Sequence, residues 1–244
     1  MNTRFNPTAN GLLHVGHLYV AMLNYHAAKS RRRSFILRFD DDQQWWISRI
    51  GREAIAGYCR EAITDLRWAG IEPDLVTYES TDREENERLL PKSLKLLVPG
   101  PEGPYPLPVW KGSDQPYPFA PYLTAVKAVQ DYRERCGLLI RGDELVTEFA
   151  LYHWICHLLA LPVPEMQFVP RLKRGREELS DMSKRRGGFK IADFRAAGWS
   201  PEDVLALLAE SCLIDPNGPW GFANVKESPE LELSAVDDRV LAKS

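Results

Sequence analysis

No run of apolar residues in this chain is long enough to cross a bilayer as a helix, so no membrane partner is expected. The opening MNTRFNPTANG has neither the basic start nor the apolar stretch of a secretory leader. Cysteine is scarce: Cys59, Cys136, Cys156 and Cys212 are the four, and no two stand in a CxxC pair. A zinc knuckle is therefore not expected, and the thiols should be reduced. A basic excess is also missing, since 31 Lys and Arg face 34 Asp and Glu, a net charge of −3. A protein that grips a long nucleic acid carries a basic footprint, so extensive contact of that kind is disfavoured. The expectation is a cytoplasmic protein whose 244 residues fill one sizeable core, with or without a small appendage. Nothing in the sequence sets its oligomeric state.

What is present reads as α/β. Residues 3–5 start an extended segment, and Pro7, Asn10 and Gly11 form a turn-rich loop. Apolar residues then recur at helical spacing from 18 to 28, and Arg31 to Arg33 suit a helix C-terminus. SFILRF at 34–39 predicts a strand ending at Asp40. Strand, helix and strand in this order predict a parallel βαβ unit. A helix is predicted over 52–69, stopped by Gly70, and another over 81–97. Eight prolines between Pro99 and Pro121 predict a loop-like connection or a small irregular lobe. Residues 123–130 form a short regular segment of open type, 138–140 a strand, and 145–159 a helix. The pattern Ser-Pro-Glu-Asp at 200–203 caps a helix over 200–213.

Two segments have the composition of a chemical site. His14-Val15-Gly16-His17 falls where the first loop enters its helix. A helix N-terminus presents unpaired N–H groups and attracts phosphate, and two imidazoles three residues apart add donors. On these four residues alone, a chance pair of solvated histidines fits equally well. Two ligands without a third partner do not make a metal site. The second segment, 171–190, holds eight Lys and Arg against three acids, flanked by Gly175, Gly187 and Gly188. Lys184 in it could neutralise phosphate charge that builds in a transition state. Taken alone, a solvated basic loop is the simpler account.

Together the two segments resemble the paired ATP motifs of class I aminoacyl-tRNA synthetases. The resemblance runs on through RFNPTANGLLHVGH at 4–17, ILRFDD at 36–41 and LRWAGI at 66–71. It continues through STDREENERLLPKSLKLL at 80–97, IRGDE at 140–144 and ADFRAAGWSPEDVLALL at 192–208. The glutamyl and glutaminyl members, and the related glutamyl-queuosine tRNA(Asp) synthetases, are the nearest in pattern. The resemblance implies a Rossmann-like class I catalytic core with a parallel sheet over residues 1–170. Within it, 97–121 would be a short replacement of the acceptor-binding insertion. A lysine loop and a short helical stem-contact-like region would follow over 171–244.

The resemblance also implies roles. ATP would lie against Thr8, His14, Gly16 and His17, with Met182, Ser183 and Lys184 closing from the opposite side. His14, His17 and Lys184 would carry the catalysis, and Mg²⁺ would ride on the phosphates. Arg4 and Arg141 would hold the carboxylate of a glutamate-like amino acid, Asp40 its α-amino group, and Tyr122 its side chain. Arg141 separates the chain from glutaminyl members.

The pattern departs from the family at Asp181, where a lysine is usual, and at Leu123, where a tyrosine is usual; Tyr122 or Tyr117 is the nearby substitute. The short 97–121 connection is expected to leave no room for an acceptor-binding domain, and no anticodon-binding domain is expected. The leading expectation is therefore adenylation of glutamate or a close analogue, with transfer to an acceptor other than ordinary tRNA: a small-molecule amine, a carrier-protein thiol or a peptide. The channel to it would be rimmed by Trp110, Tyr117 and Phe119. Alternatives are a minimal glutamyl-tRNA or glutamyl-queuosine tRNA synthetase, and an inactive paralogue that binds nucleotide or a partner protein.

Overall fold

In the computed structural model, residues 1–90, 121–170, 172–174, 189–212 and 230–231 are described. The expectations for 97–120, for 175–188 including Asp181, Met182, Ser183 and Lys184, and for Trp110, Tyr117 and Phe119 lie outside these residues.

Five parallel strands form the central sheet: β1 (Asn2–Phe5), β2 (Phe35–Phe39), β3 (Leu75–Tyr78), β4 (Cys136–Gly142) and β5 (Glu165–Val169). Their spatial order is β3-β2-β1-β4-β5. Every pairing is parallel, with Arg4 opposite Ile36, Phe39 opposite Tyr78 and Arg141 opposite Phe168. The chain runs outward from β1 to β3 and then returns to the other side of β1. The crevice between β1 and β4 is thus the topological switch point, where ligands of open α/β sheets bind.

Alternation of side chains explains why both sheet faces are covered. Phe35, Leu37, Phe39, Leu138 and Ile140 point into one apolar cluster, shared with helices α1 (Val15–Ser30) and α3 (Arg52–Trp68). Ile36, Cys136 and Leu139 point into the other, beneath α5 (Pro121–Arg133) and α6 (Val146–Leu158). All five residues of β2 are buried, the signature of a strand with a helical layer on each side. Among the described residues no helix is long and apolar enough to cross a membrane.

Helix α1 begins three residues before the periodic stretch, because its N-terminus is fixed by capping and not by apolar spacing. Helix α3 stops where Gly70 takes φ +75°, a left-handed conformation natural to glycine. The open segment at 123–130 is helix α5, and the helix expected from 81 begins as α4 (Glu79–Arg88).

Several described elements are additional to the sequence expectations, β3, β5 and helix α2 (Gln44–Ile50) among them. Helix α2 spans only two turns and fully buries none of its residues, resting Trp46, Ile47 and Ile50 half-buried on the core. Strands β3 and β5 lie at the sheet edges, are largely half-buried, and show no clean alternation. The chain continues through α7 (Ile191–Ala197) and α8 (Pro201–Cys212). Gly198 closes α7 at φ +85°, and Trp199 folds back onto Phe194 with ring centroids 5.0 Å apart. Ser200 caps α8: its Oγ accepts from the Asp203 N–H at 3.1 Å while Asp203 accepts from the Ser200 N–H at 3.1 Å. A short parallel ladder joins β6 (Lys173–Arg174) to β7 (Glu230–Leu231).

Candidate active site

The N-terminus of α1 opens at the C-terminal end of β1. His14 is its N-cap: the imidazole Nδ1 accepts from the Gly16 N–H at 3.2 Å. His17 reaches back, its Nδ1 accepting from the His14 N–H at 3.3 Å. The two rings lie 3.8 Å apart. Histidines thus make the reciprocal cap usually made by Ser or Thr with Glu. A neutral imidazole that accepts at Nδ1 carries its proton on Nε2, so each ring keeps an N–H donor on its far side. No acid sits in the first turn, which leaves the positive end of the helix dipole uncancelled. Gly16 fits this arrangement tightly, since a Cβ there would lie 3.1 Å from the His14 ring.

The far end of the basic segment is pinned to this same turn. Lys190 lies in an antiparallel bridge opposite His14. The Val15 N–H donates to the Phe189 carbonyl at 3.0 Å, and the Ile191 N–H to the Leu13 carbonyl at 3.1 Å. Leu172, at the near end, is buried in the core cluster that contains Leu13 and Val15. Leu172 and Phe189–Lys190 therefore lie in the layer that carries His14, Gly16 and His17.

Arg4 and Asp40 come from neighbouring strands. Arg4 is buried against α5, where its Nε and Nη2 donate to the two carboxylate oxygens of Asp131. Asp131 also accepts from the Tyr152 hydroxyl at 2.7 Å and pairs with Arg38 at 2.8 Å, and Arg38 pairs in turn with Glu134. Arg4 and Arg38 hold the Asp131 carboxyl well below the usual range, against the upward push of burial. Arg4 thus has its charge matched within the fold before any substrate enters.

Arg141 follows the same rule. At the end of β4, its Nη2 donates to Glu148 at 3.0 Å. Burial lowers its pKa, opposed by Glu148, and the charges of Arg4 and Asp131 reach it. The two arginines therefore share one electrostatic neighbourhood. Tyr122 falls in the first turn of α5.

Asp40 sits just beyond β2, bridged to Thr8 in the loop after β1; the Ala9 N–H donates to the Asp40 carbonyl at 3.1 Å. Its carboxylate is 3% exposed. One oxygen, Oδ2, accepts from Lys127 at 3.0 Å, from Gln43, and from the Thr8 hydroxyl at 3.4 Å. The other, Oδ1, is buried and has no donor among the described residues. Lys127 Nζ also lies 3.5 Å from Glu79. Burial, then the charge of Asp40, raises the Glu79 carboxyl to about 7.

Asp40, Asp42 and Glu79 bring carboxylate oxygens within 4.8 Å of one another, a spacing that suits a cation. Lys127 and Arg83, which pairs with Asp42, already supply positive charge to this trio. The cluster therefore fits a protein-borne ammonium and guanidinium better than a resident metal. Lys127 was not expected from the sequence. Its signal is a single cation inside the otherwise apolar turn of TAVKAV at 124–129.

Known proteins resemble this chain in sequence and in fold. Residues 1–95 match the family described as tRNA synthetases class I (E and Q), catalytic domain. A glutamyl-Q tRNA(Asp) synthetase of Nocardia farcinica is 27% identical, over 88% of this chain and 86% of that one. Glutamate–tRNA ligase 1 of Neorickettsia sennetsu is also 27% identical, over 85% of this chain; the match spans only 59% of that ligase. Among solved structures, the glutamate–tRNA synthetase of Elizabethkingia anophelis superposes with a TM-score of 0.70 at 16% identity, covering 96% of this chain and 68% of that one. Residues 1–95 thus match the catalytic-domain family of class I (E and Q) tRNA synthetases, and the chain is similar to glutamate–tRNA ligases and to a glutamyl-Q tRNA(Asp) synthetase.

Proposed function

We propose that the chain is an AMP-forming ligase that adenylates glutamate or a close analogue with ATP. The observation that carries this reading is the His14–Lys190 bridge, which ties the basic segment holding Lys184 to the phosphate-attracting end of α1. In the reaction, a carboxylate oxygen of the acid attacks the α-phosphorus. A new O–P bond forms, the bond from the α-phosphorus to the bridging oxygen breaks, and pyrophosphate leaves with the electron pair. The Nε2–H groups of His14 and His17 and the α1 N–H groups hold phosphate oxygens, with Gly16 and Thr8 beside the nucleotide. Lys184, with Met182 and Ser183 around it, offsets the charge that develops on the leaving group. No proton needs to move, so alignment and charge stabilisation supply the rate. Mg²⁺ arrives with ATP and neutralises phosphate charge. Arg141 and Arg4 orient the acid, assisted by Tyr122, and Asp40 faces its α-substituent.

The acyl acceptor has two readings. Similarity to the glutamyl-Q tRNA(Asp) synthetase runs over most of both chains and supports transfer to tRNA by a minimal contact surface. The net charge of −3 and the short span from Arg88 to Pro121 favour a smaller acceptor, an amine, a carrier thiol or a peptide; the relatives named above lend this second reading no support. Incubation with ATP, labelled acid and total tRNA separates them. Ribonuclease-sensitive label supports tRNA, and label that survives ribonuclease on another molecule supports the small acceptor.

A further inference from the structure

Helix α2 follows the end of β2, on the carboxyl edge of the sheet where ligands of open α/β folds gather. Gln43, which precedes its first turn, donates its side-chain amide to Asp40, so α2 starts beside the Thr8–Asp40 bridge. Trp46, Ile47 and Ile50 seat the helix on the core. Trp45 and Arg49, four residues apart, share its outward side. Trp45 is 39% exposed, and Arg49 is exposed beside it. The Arg49 Cζ lies 3.8 Å from the centroid of the Trp45 ring, so the guanidinium is held over the indole. Trp46 meets the same indole at 4.3 Å and 78°, which braces it from the core side. The acids nearest in sequence have partners of their own: Asp40 pairs with Lys127, Asp42 with Arg83, and Asp41 accepts from Ser80. The charge of Arg49 is therefore carried on an aromatic ring at the mouth of the crevice. A flat guanidinium backed by a ring matches a flat partner that travels with negative charge, and an unpaired nucleobase with its phosphate is such a partner. Two side chains seat one base and not a long backbone, which agrees with a chain of net charge −3.

We propose that Trp45 and Arg49 form a stacking platform for one unpaired base of the RNA strand that carries the acyl acceptor. This rests on the tRNA reading of the acceptor given above and deepens it, since it seats that strand beside Asp40. Trp45 fixes the plane of the guanidinium, and Arg49 offers the base its flat face and the neighbouring phosphate its N–H groups.

Fluorescence anisotropy on the intact chain tests this with three labelled probes of equal length: a single-stranded RNA, the same sequence as a duplex, and an abasic strand that keeps the phosphates alone. The single strand should bind about tenfold tighter than either of the others, the worth of one stacked base. Trp45→Ala should weaken the single strand about tenfold and leave the abasic strand unmoved, while Trp45→Phe, which keeps a ring, should retain most of the binding. Arg49→Lys keeps the charge and loses the plane, and should still cost about threefold. Total tRNA should displace the single-stranded probe. Equal binding of the single and abasic strands, undiminished binding in Trp45→Ala, or a probe that tRNA does not displace would overturn the inference. Pyrophosphate exchange by the unaltered chain, run without RNA, keeps the two readings apart. Exchange without base-dependent binding would overturn the platform and leave adenylation standing. Base-dependent binding lost in Trp45→Ala, with no exchange for any acid, would support the platform and overturn adenylation.

Discussion

Lys190 stands opposite His14 in an antiparallel bridge, 176 positions further along the chain, and so fixes the end of the basic segment against the cap of α1. His14 has a structural duty there and, under the proposed adenylation, a chemical one, which substitution can divide. His14→Ala removes the cap acceptor and the proposed phosphate donor. It should cost about 1 kcal/mol of stability and about a hundredfold in pyrophosphate exchange. His14→Asn restores a good cap acceptor, so melting temperature should recover while exchange stays low. Parallel thermal melts and exchange assays check the split.

Gly16→Ala tests the same turn by size. Its Cβ would press on the His14 ring at 3.1 Å. The ring must give way, so exchange should fall by about tenfold or more with little change in helix content. Circular dichroism beside the exchange assay reads both.

Arg141→Ala should raise the KM for the acid by about ten- to a hundredfold, the worth of a charged hydrogen bond, with a smaller effect on kcat. It also leaves Glu148 buried without its cation, so a modest drop in melting temperature should accompany it. Steady-state kinetics over a range of acid concentrations gives the two constants separately.

Asp131 is the centre of the buried ion network under α5. Asp131→Asn leaves Arg4 and Arg38 short of a counter-ion and should destabilise the chain by about 3–5 kcal/mol. The group also sets an acid limit. Its folded pKa is depressed below the unfolded value of about 4, so the folded chain holds fewer protons than the unfolded one as the pH falls through that range. The contribution is fully present above about pH 4 and is lost as the pH falls further. Urea unfolding at a series of pH values should show this loss in the unaltered chain and a weaker one in Asp131→Asn.

Much of this was legible in the sequence, and the exceptions have physical causes. The βαβ opening could be read because β2 is buried on both faces and α3 carries a clean apolar stripe. Ser200 and Asp203 announced the start of α8 by their spacing. Helix α2 is only two turns long and leaves its apolar residues half-buried, too short a pattern to read, and β3 and β5 are short edge strands without alternation. At the site, His14, Gly16 and His17 are adjacent in sequence and declare themselves. The partners of Arg4 and Asp40 do not: Asp131 lies 127 residues from Arg4, and Lys127 lies 87 from Asp40. Only folding brings α5 over β1 and β2, so the pairing that sets the charge around Arg4 and Asp40 is a tertiary fact.

The central claim is that this chain makes an acyl-adenylate. Acid-dependent exchange of labelled pyrophosphate into ATP measures that step directly, run with and without total tRNA. The account predicts exchange that requires a glutamate-like dicarboxylic acid and falls by about a hundredfold in His17→Ala and Lys184→Ala, both still folded. Absence of exchange with every such acid under both conditions, or undiminished exchange in both variants, would contradict it.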